Sequence, residues 1–131
     1  APGILALDPS RYQPTTCSVP VMPHEHPLEV SIEEAARQLA SAQPPVLIDV
    51  REPDEYAICA IPGSRLIPMA AVPERLAEIP QDLPVLVHCH HGVRSLNATA
   101  LLRQKGFTNV HSMAGGIEAW SLLVDPGVAR Y

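Results

Sequence analysis

The stretch Val85-Leu-Val-His-Cys-His-His-Gly-Val-Arg-Ser95 places a cysteine, Cys89, at the end of a short apolar run. The run has the length of a buried strand, Gly92 marks a tight loop, and helical spacing of apolar residues begins near Arg94. Backbone N–H groups at a helix N-terminus lack partners within the helix, and a glycine loop can turn further N–H groups inward. This arrangement predicts a stabilised thiolate at Cys89 and therefore a nucleophile.

The alternative interpretation of Cys89 is a small buried apolar residue, which is what most free cysteines are. Its neighbours favour chemistry, because His88, His90, His91 and Arg94 add hydrogen-bond donors and positive charge around the sulfur. The carboxyl ends of parallel strands are also where ligands bind in open α/β sheets. We therefore expect Cys89 to be the reactive residue of this chain.

The charge, the apolar runs and the cysteine count of the chain indicate which kinds of partner to expect. The chain has 131 residues, a net charge of −5 and no run of Lys or Arg, which argues against a nucleic-acid partner. No apolar stretch approaches the length of a membrane span, so no membrane partner is expected. Three cysteines in a chain of this length do not indicate a disulfide framework, and reduced thiols are typical of the cytoplasm, where we expect the protein.

Prolines mark where the folded body begins. Six of the 15 prolines lie at or before Pro27, and residues 1–27 show no sustained periodicity. We predict that residues 1–27 form a Pro-rich N-terminal arm and that residues 28–131 form one domain.

Strand and helix signals alternate along this domain, which predicts an α/β fold with a mostly parallel sheet and helices on both faces. The predicted strands are residues 28–30, 46–50, 65–67, 85–88 and 110–113, and the predicted helical segments are residues 32–42, 52–57, 73–79, 94–105 and 116–122. Ser31 and Glu34 have the spacing of a capping box at the first helix. The apolar pattern after Arg94 predicts a buried helix face made of Leu96, Ala100, Leu101 and Leu102.

Four stretches together resemble a single rhodanese domain. They are Leu47-Ile-Asp-Val-Arg-Glu-Pro-Asp-Glu-Tyr56, Ile61-Pro-Gly63, Cys89-His-His-Gly-Val-Arg-Ser95 and Met113-Ala-Gly-Gly-Ile-Glu-Ala-Trp120, in the family's order and at its usual spacings. The resemblance implies a five-stranded rhodanese-like fold and a sulfurtransferase. In such domains a loop cysteine carries a persulfide from a sulfur donor to a thiophilic acceptor.

Carried onto this chain, the resemblance implies residue roles. Cys89 would attack the outer sulfur of a donor such as thiosulfate, and the sulfur would then pass to cyanide, a thiol or a protein cysteine, with no cofactor. The donor or acceptor can be a small molecule or a protein. Arg94 would either anchor the loop or meet the incoming anion. The active-site loop would be Cys89, His90, His91, Gly92, Val93 and Arg94, with Asp49, Arg51 and Ser95 in support.

Two positions depart from the family pattern. Cys59-Ala60 stands where many members have Gly-His, and we expect Cys59 to be a small packed residue rather than a resolving thiol. His91 stands where some thiosulfate-using members have lysine. Because imidazole is only partly charged at neutral pH, weak thiosulfate binding is expected.

Three other classes compete with this interpretation. A Cys-based phosphatase or arsenate reductase would share the flanks of the loop, but Arg94 is the fifth residue after Cys89 rather than the sixth, which leaves a smaller cradle. A metal site is not predicted, because adjacent side chains of a strand at His88, His90 and His91 would point to opposite faces. A non-catalytic interaction module of the same fold is the third, and retention of Cys89 weighs against it.

Overall fold

The computed structural model describes residues 27–131, which form a single sheet covered by helices. The strands are β1 (Glu29–Val30), β2 (Val46–Asp49), β3 (Arg65–Leu66), β4 (Val85–His88) and β5 (Val110–Met113), and the α-helices are α1 (Ile32–Leu39), α2 (Pro53–Ile58), α3 (Val93–Gln104) and α4 (Gly116–Leu123). Two 3₁₀ helices, Met69–Glu74 and Leu76–Glu78, connect β3 to β4. The predicted arm boundary stays a prediction, since residues 1–26 lie outside the described residues.

The five strands form a single sheet in the order β1-β5-β4-β2-β3, and every pairing among them is parallel. The short apolar runs form strands that are buried on both faces, as expected for a parallel sheet covered by helices. Strand β4 is fully buried and lies in the middle of the sheet, between β5 and β2. The carboxyl end of β4 is therefore the centre of one sheet edge, with loops on either side of it.

Alternation along the strands divides the core into two layers. Leu86 of β4 packs in one cluster with residues of α1 and α4, including Ala35 and Trp120. Val85 and Val87 pack in the other cluster, with residues of α3 such as Leu102. Helices thus cover both faces of the sheet, which confirms the predicted architecture. Among the helices of residues 27–131, none combines the length and apolar character that crossing a bilayer requires.

Helix α1 is shorter than predicted, because it ends at Leu39 and not near Ala42. The N–H and hydroxyl groups of Ser41 both bond the carbonyl of Gln38, at 3.2 and 2.7 Å, and so take up an acceptor at the helix end. The start is capped as predicted by Ser31, whose hydroxyl accepts the N–H of residue 34 at 3.0 Å. The side chain of Glu34, however, binds Arg37 instead of completing the box.

The buried face of α3 also differs from the prediction. Its fully buried residues are Ser95, Ala98, Thr99 and Leu102, whereas Leu96, Ala100 and Leu101 are only half buried. Small and hydroxyl-bearing side chains let this helix lie close to the sheet behind the cysteine loop. An apolar pattern alone cannot reveal a buried face of this composition.

Candidate active site

The thiol of Cys89 lies inside a cradle of backbone N–H groups at the end of β4. Its Sγ accepts hydrogen bonds from the amide of Gly92 at 3.1 Å and from the amide of Ser95 at 3.3 Å. Gly92 has a φ of +110° and is the N-cap of α3, a conformation that glycine adopts without strain. Cys89 is only 1% exposed, while Val93, at the crest of the loop, is 69% exposed. The predicted strand–loop–helix cradle is thus present around the sulfur.

Two buried hydroxyl groups extend the cradle away from the thiol. Ser95 Oγ lies 3.5 Å from Cys89 Sγ, donates to the carbonyl of Gly92 at 3.2 Å, and lies 2.7 Å from Ser112 Oγ. Ser95 was predicted as a supporting residue, but Ser112 on β5 was missed, because nothing in the sequence places it beside the loop. The hydroxyl pair links the loop to the neighbouring strand.

The start of α4 holds the loop backbone from the other side. The amides of Ile117 and Glu118 donate to the carbonyls of Cys89 and His90, at 2.8 and 3.1 Å. Gly116 has a φ of +60°, and a Cβ there would overlap both of these carbonyl oxygens, that of His90 at 2.5 Å. This contact lies in the stretch Met113–Trp120, which carries part of the family resemblance and for which no contact was predicted. Its glycines are what allow α4 to approach the loop.

Asp49 and Arg51 form a fully buried ion pair next to the loop. Arg51 Nε lies 3.0 Å from both carboxylate oxygens of Asp49, and Nη2 lies 2.6 Å from Oδ2. Arg51 also donates to the carbonyls of Glu55 and Cys59, at 3.3 and 2.7 Å. Burial alone would lower the pKa of Arg51, but the hydrogen bonds to Asp49 and Tyr131 outweigh it and raise the pKa. Asp49 and Arg51 are therefore not a surface ion pair. Their contacts fix the backbone that follows β2.

Arg94 is bound to Glu55 of α2 rather than turned toward the thiol. Its Nη1 and Nη2 atoms contact the two carboxylate oxygens at 2.7 and 2.9 Å. The hydrogen bonds from Arg94 lower the pKa of Glu55 to about 2, although burial opposes the shift. Of the two roles left open for Arg94, this contact favours anchoring of the loop, which stays a prediction. Glu55 was missed as a site residue, although it lies within the stretch 47–56 that carries the resemblance.

The histidines around Cys89 do not all contribute as expected. His88 is fully buried with Nε2 3.6 Å from Asp49 Oδ2, and burial lowers its pKa to about 4. It is therefore neutral at pH 7, and the expected positive charge from His88 was wrong. His90 and His91 were expected on opposite faces, yet their rings stack at 3.9 Å. They lie in the loop after β4 has ended, where strand alternation no longer applies.

Ring nitrogens of His90 and His91 and a carboxylate oxygen of Glu118 lie within 4.8 Å of one another. The two rings are within 23° of parallel, so their nitrogen lone pairs lie in near-parallel planes and do not converge on one point. Glu118 is also held by Arg130, with one carboxylate oxygen 2.7 Å from Nη2. The absence of a metal at this site remains a prediction.

A parallel α/β sheet with a cysteine cradle at the end of its central strand is the arrangement that the resemblance to a rhodanese domain implies. The model of the family described as rhodanese-like domain matches residues 31–123 of this chain. This chain belongs to the rhodanese-like domain family.

Several relatives are named sulfurtransferases. A sulfurtransferase of Allochromatium vinosum is 39% identical over 93 residues, covering 71% of this chain and 87% of the relative. A thiosulfate sulfurtransferase, GlpE, of Pseudomonas paraeruginosa is 41% identical over 87 residues, covering 66% and 78%. The crystal structure of a rhodanese-like domain protein from Staphylococcus aureus has a TM-score of 0.69 at 28% identity, covering 79% of this chain and 97% of that one. These relatives support sulfurtransferase activity in general.

Proposed function

We propose that this protein carries sulfane sulfur as a persulfide on Cys89. The observation that carries the proposal is the pair of N–H groups, from Gly92 and Ser95, that converge on Cys89 Sγ. Such donors stabilise the thiolate that attacks, and the N-terminus of α3 favours negative charge on the sulfur that the loop then carries. Arg94 ties the loop to Glu55, and the Asp49–Arg51 pair fixes the chain that leaves β2, so both support the site without contact to the reacting atoms.

The reaction has two balanced steps. In the first, the Cys89 thiolate attacks the outer sulfur of thiosulfate, a new S–S bond forms, and sulfite leaves with the electron pair of the broken S–S bond. In the second, an acceptor such as cyanide attacks the terminal sulfur, thiocyanate leaves, and the Cys89 thiolate returns. A small thiol or a protein cysteine can replace cyanide as the acceptor. The scheme is ping-pong and needs no cofactor.

Charge around the loop supports weak use of thiosulfate. Three arginines at the site are each paired with a carboxylate: Arg51 with Asp49, Arg94 with Glu55, and Arg130 with Glu118. Pairing cancels most of the field that a fixed cation would exert on a dianion. We therefore infer a high KM for thiosulfate. A small-molecule persulfide of low charge is the better donor for this site, because its binding depends less on a nearby cation. Cys59 and Cys89 are free thiols, and such chemistry belongs in a reducing compartment such as the cytoplasm.

The test is the intact mass after incubation with thiosulfate or a small-molecule persulfide. We expect an increase of roughly 32 Da, one sulfur atom, that maps to Cys89 and disappears on addition of cyanide. Cys89→Ser should gain no mass, whereas the matched control Cys59→Ser should gain it like the parent protein. Sulfur mapped to another cysteine, or none with any donor, would refute the proposal. Turnover of an aryl phosphate instead would favour the phosphatase class.

A further inference from the structure

Tyr131 lies against the cysteine loop, although sequence analysis gave it no role. Its ring stacks on His90 with a centroid distance of 4.0 Å and an angle of 11° between planes. His90 also stacks on His91 at 3.9 Å. Three rings therefore form one continuous stack beside the residue that carries the thiol. His90 is in the middle, and Tyr131, at 39% exposure, is at one end.

The hydroxyl group of Tyr131 joins two of the ion pairs of the site, Arg51–Asp49 and Arg94–Glu55. It accepts a hydrogen bond from Arg51 Nη1 at 3.0 Å and donates one to Glu55 Oε2 at 2.8 Å. Burial first, and the neighbouring Glu55 next, raise the pKa of Tyr131 to about 12, so the hydroxyl keeps its proton. Glu55 in turn holds Arg94. One side chain thus restrains the loop at both ends, directly at His90 and through Glu55 at Arg94.

The segment that carries Tyr131 is itself fixed to α4. Val128 is 7% exposed and packs in the apolar cluster beneath α1 and α4, and its carbonyl accepts the hydroxyl of Ser121 at 2.6 Å. Arg130 binds Glu118 at 2.7 Å. Tyr131 is therefore placed by the fold and is not an isolated surface contact.

We propose that Tyr131 is a specificity-determining residue that limits the size of the reactants that reach Cys89. The proposal rests on the proposed function, because a thiol that is 1% exposed must still meet a donor and an acceptor. His90 and Arg94, the loop side chains that Tyr131 restrains, flank the cradle. A small reactant such as thiosulfate or cyanide enters between them. A larger one requires the His90 ring to swing outward, which breaks its stack with Tyr131.

The experiment measures the alkylation rate of Cys89 in the full chain by peptide mass mapping, with iodoacetamide as the small reagent and pyrenyl maleimide as the bulky one. Tyr131→Ala should raise the ratio of the bulky to the small rate by about two- to ten-fold, the factor that corresponds to loss of one stacked aromatic pair. Tyr131→Phe keeps the ring and should leave the ratio within about two-fold of the parent. Leu123→Ala, which truncates a 67% exposed side chain outside the site, should leave the ratio unchanged.

An unchanged ratio in a Tyr131→Ala protein that melts like the parent would overturn the proposal, as would an equal rise in Leu123→Ala. If Tyr131→Ala does not fold, Tyr131→Leu supplies the same comparison with the apolar volume kept. Alkylation does not require sulfur transfer, so its result stands even if Cys89 never carries sulfur. Conversely, sulfur loading with an unchanged size ratio would refute only the role of Tyr131.

In the sulfur-transfer assay, Tyr131→Ala should improve kcat/KM for glutathione as acceptor more than for cyanide. A rise that is equal for the two acceptors would point to general loosening of the loop and would count against a size limit.

Discussion

Replacing Arg51 by methionine should destabilise the protein strongly, because it leaves the carboxylate of Asp49 buried without its partner. Both side chains are 0% exposed, and three N–O contacts of 2.6 to 3.0 Å join them. Removal of one member of a buried ion pair costs about 3–5 kcal/mol. For a domain of this size that corresponds to a fall in Tm of roughly 12 °C or more.

The assay is urea unfolding followed by the fluorescence of Trp120, the single tryptophan. Asp49→Leu should be similarly destabilising, since Arg51 is then the unpaired charge. The double variant should lose less stability than the sum of the two single losses, by about 2 kcal/mol or more, because neither charge is then buried alone. It should not recover fully, since Arg51 also donates to the carbonyls of Glu55 and Cys59.

The matched control is Arg37→Met, which removes an arginine from an ion pair on the exposed face of α1. The Arg37 and Glu34 side chains are 70% and 36% exposed, and we expect no resolved change in the unfolding midpoint. If Arg51→Met were no more destabilising than this control, or if the cycle showed no coupling, the account of the buried pair would be wrong.

Four further predictions concern the loop and its surroundings. Gly116→Ala should lower stability by about 1–3 kcal/mol or more, since it adds positive-φ strain to the overlap with the loop carbonyls, and a melting curve like the parent's would contradict this. His91→Lys should lower the KM for thiosulfate, with a gain that shrinks in high salt, and an unchanged KM at every ionic strength would mean that the side chain points away from the donor. The stability advantage of the parent over Glu55→Gln should be complete above pH 4.5 and fall as the pH approaches 2, because the Arg94 contact lowers the pKa of this carboxyl; a pH-independent difference in unfolding midpoint would refute it. A chain that starts at Pro27 should keep its sulfur-transfer rate, and loss of activity in a folded protein of this length would show that the arm helps to form the site.

The sequence pattern predicted the bounds of two strands and the loop at Cys89, because each of these is formed by neighbouring residues. Strands β4 and β5 have the predicted bounds; all four residues of β4 and three of the four residues of β5 are buried. The loop cradle was predictable for the same reason, since Cys89, Gly92 and Ser95 lie within seven consecutive positions. The end of α1 was missed because Ser41 competes for a helix carbonyl, which periodicity does not report.

The partners that hold the loop could not be predicted, because they come from distant positions. Glu55 is 39 residues from Arg94, and Tyr131 is 76 residues from Glu55. Only the sheet order and the path of the segment after α4 bring them together. The charge state of His88 depends on complete burial, which the sequence indicated only for the strand as a whole. Contacts of this kind are properties of the assembled fold.

The buried hydroxyl pair at the thiol has a consequence for how the site tolerates a change of charge. Ser95 has one hydroxyl hydrogen and three neighbours, the sulfur of Cys89, the carbonyl of Gly92 and the hydroxyl of Ser112. With a neutral thiol, the hydrogen can point to the carbonyl while the oxygen faces S–H. With a thiolate, rotation about the Cβ–Oγ bond of Ser95 turns the same hydrogen toward the sulfur, and the hydroxyl of Ser112 can donate to Ser95 Oγ. The cradle can thus follow each gain or loss of charge on the sulfur by reorienting protons alone, with no heavy atom displaced.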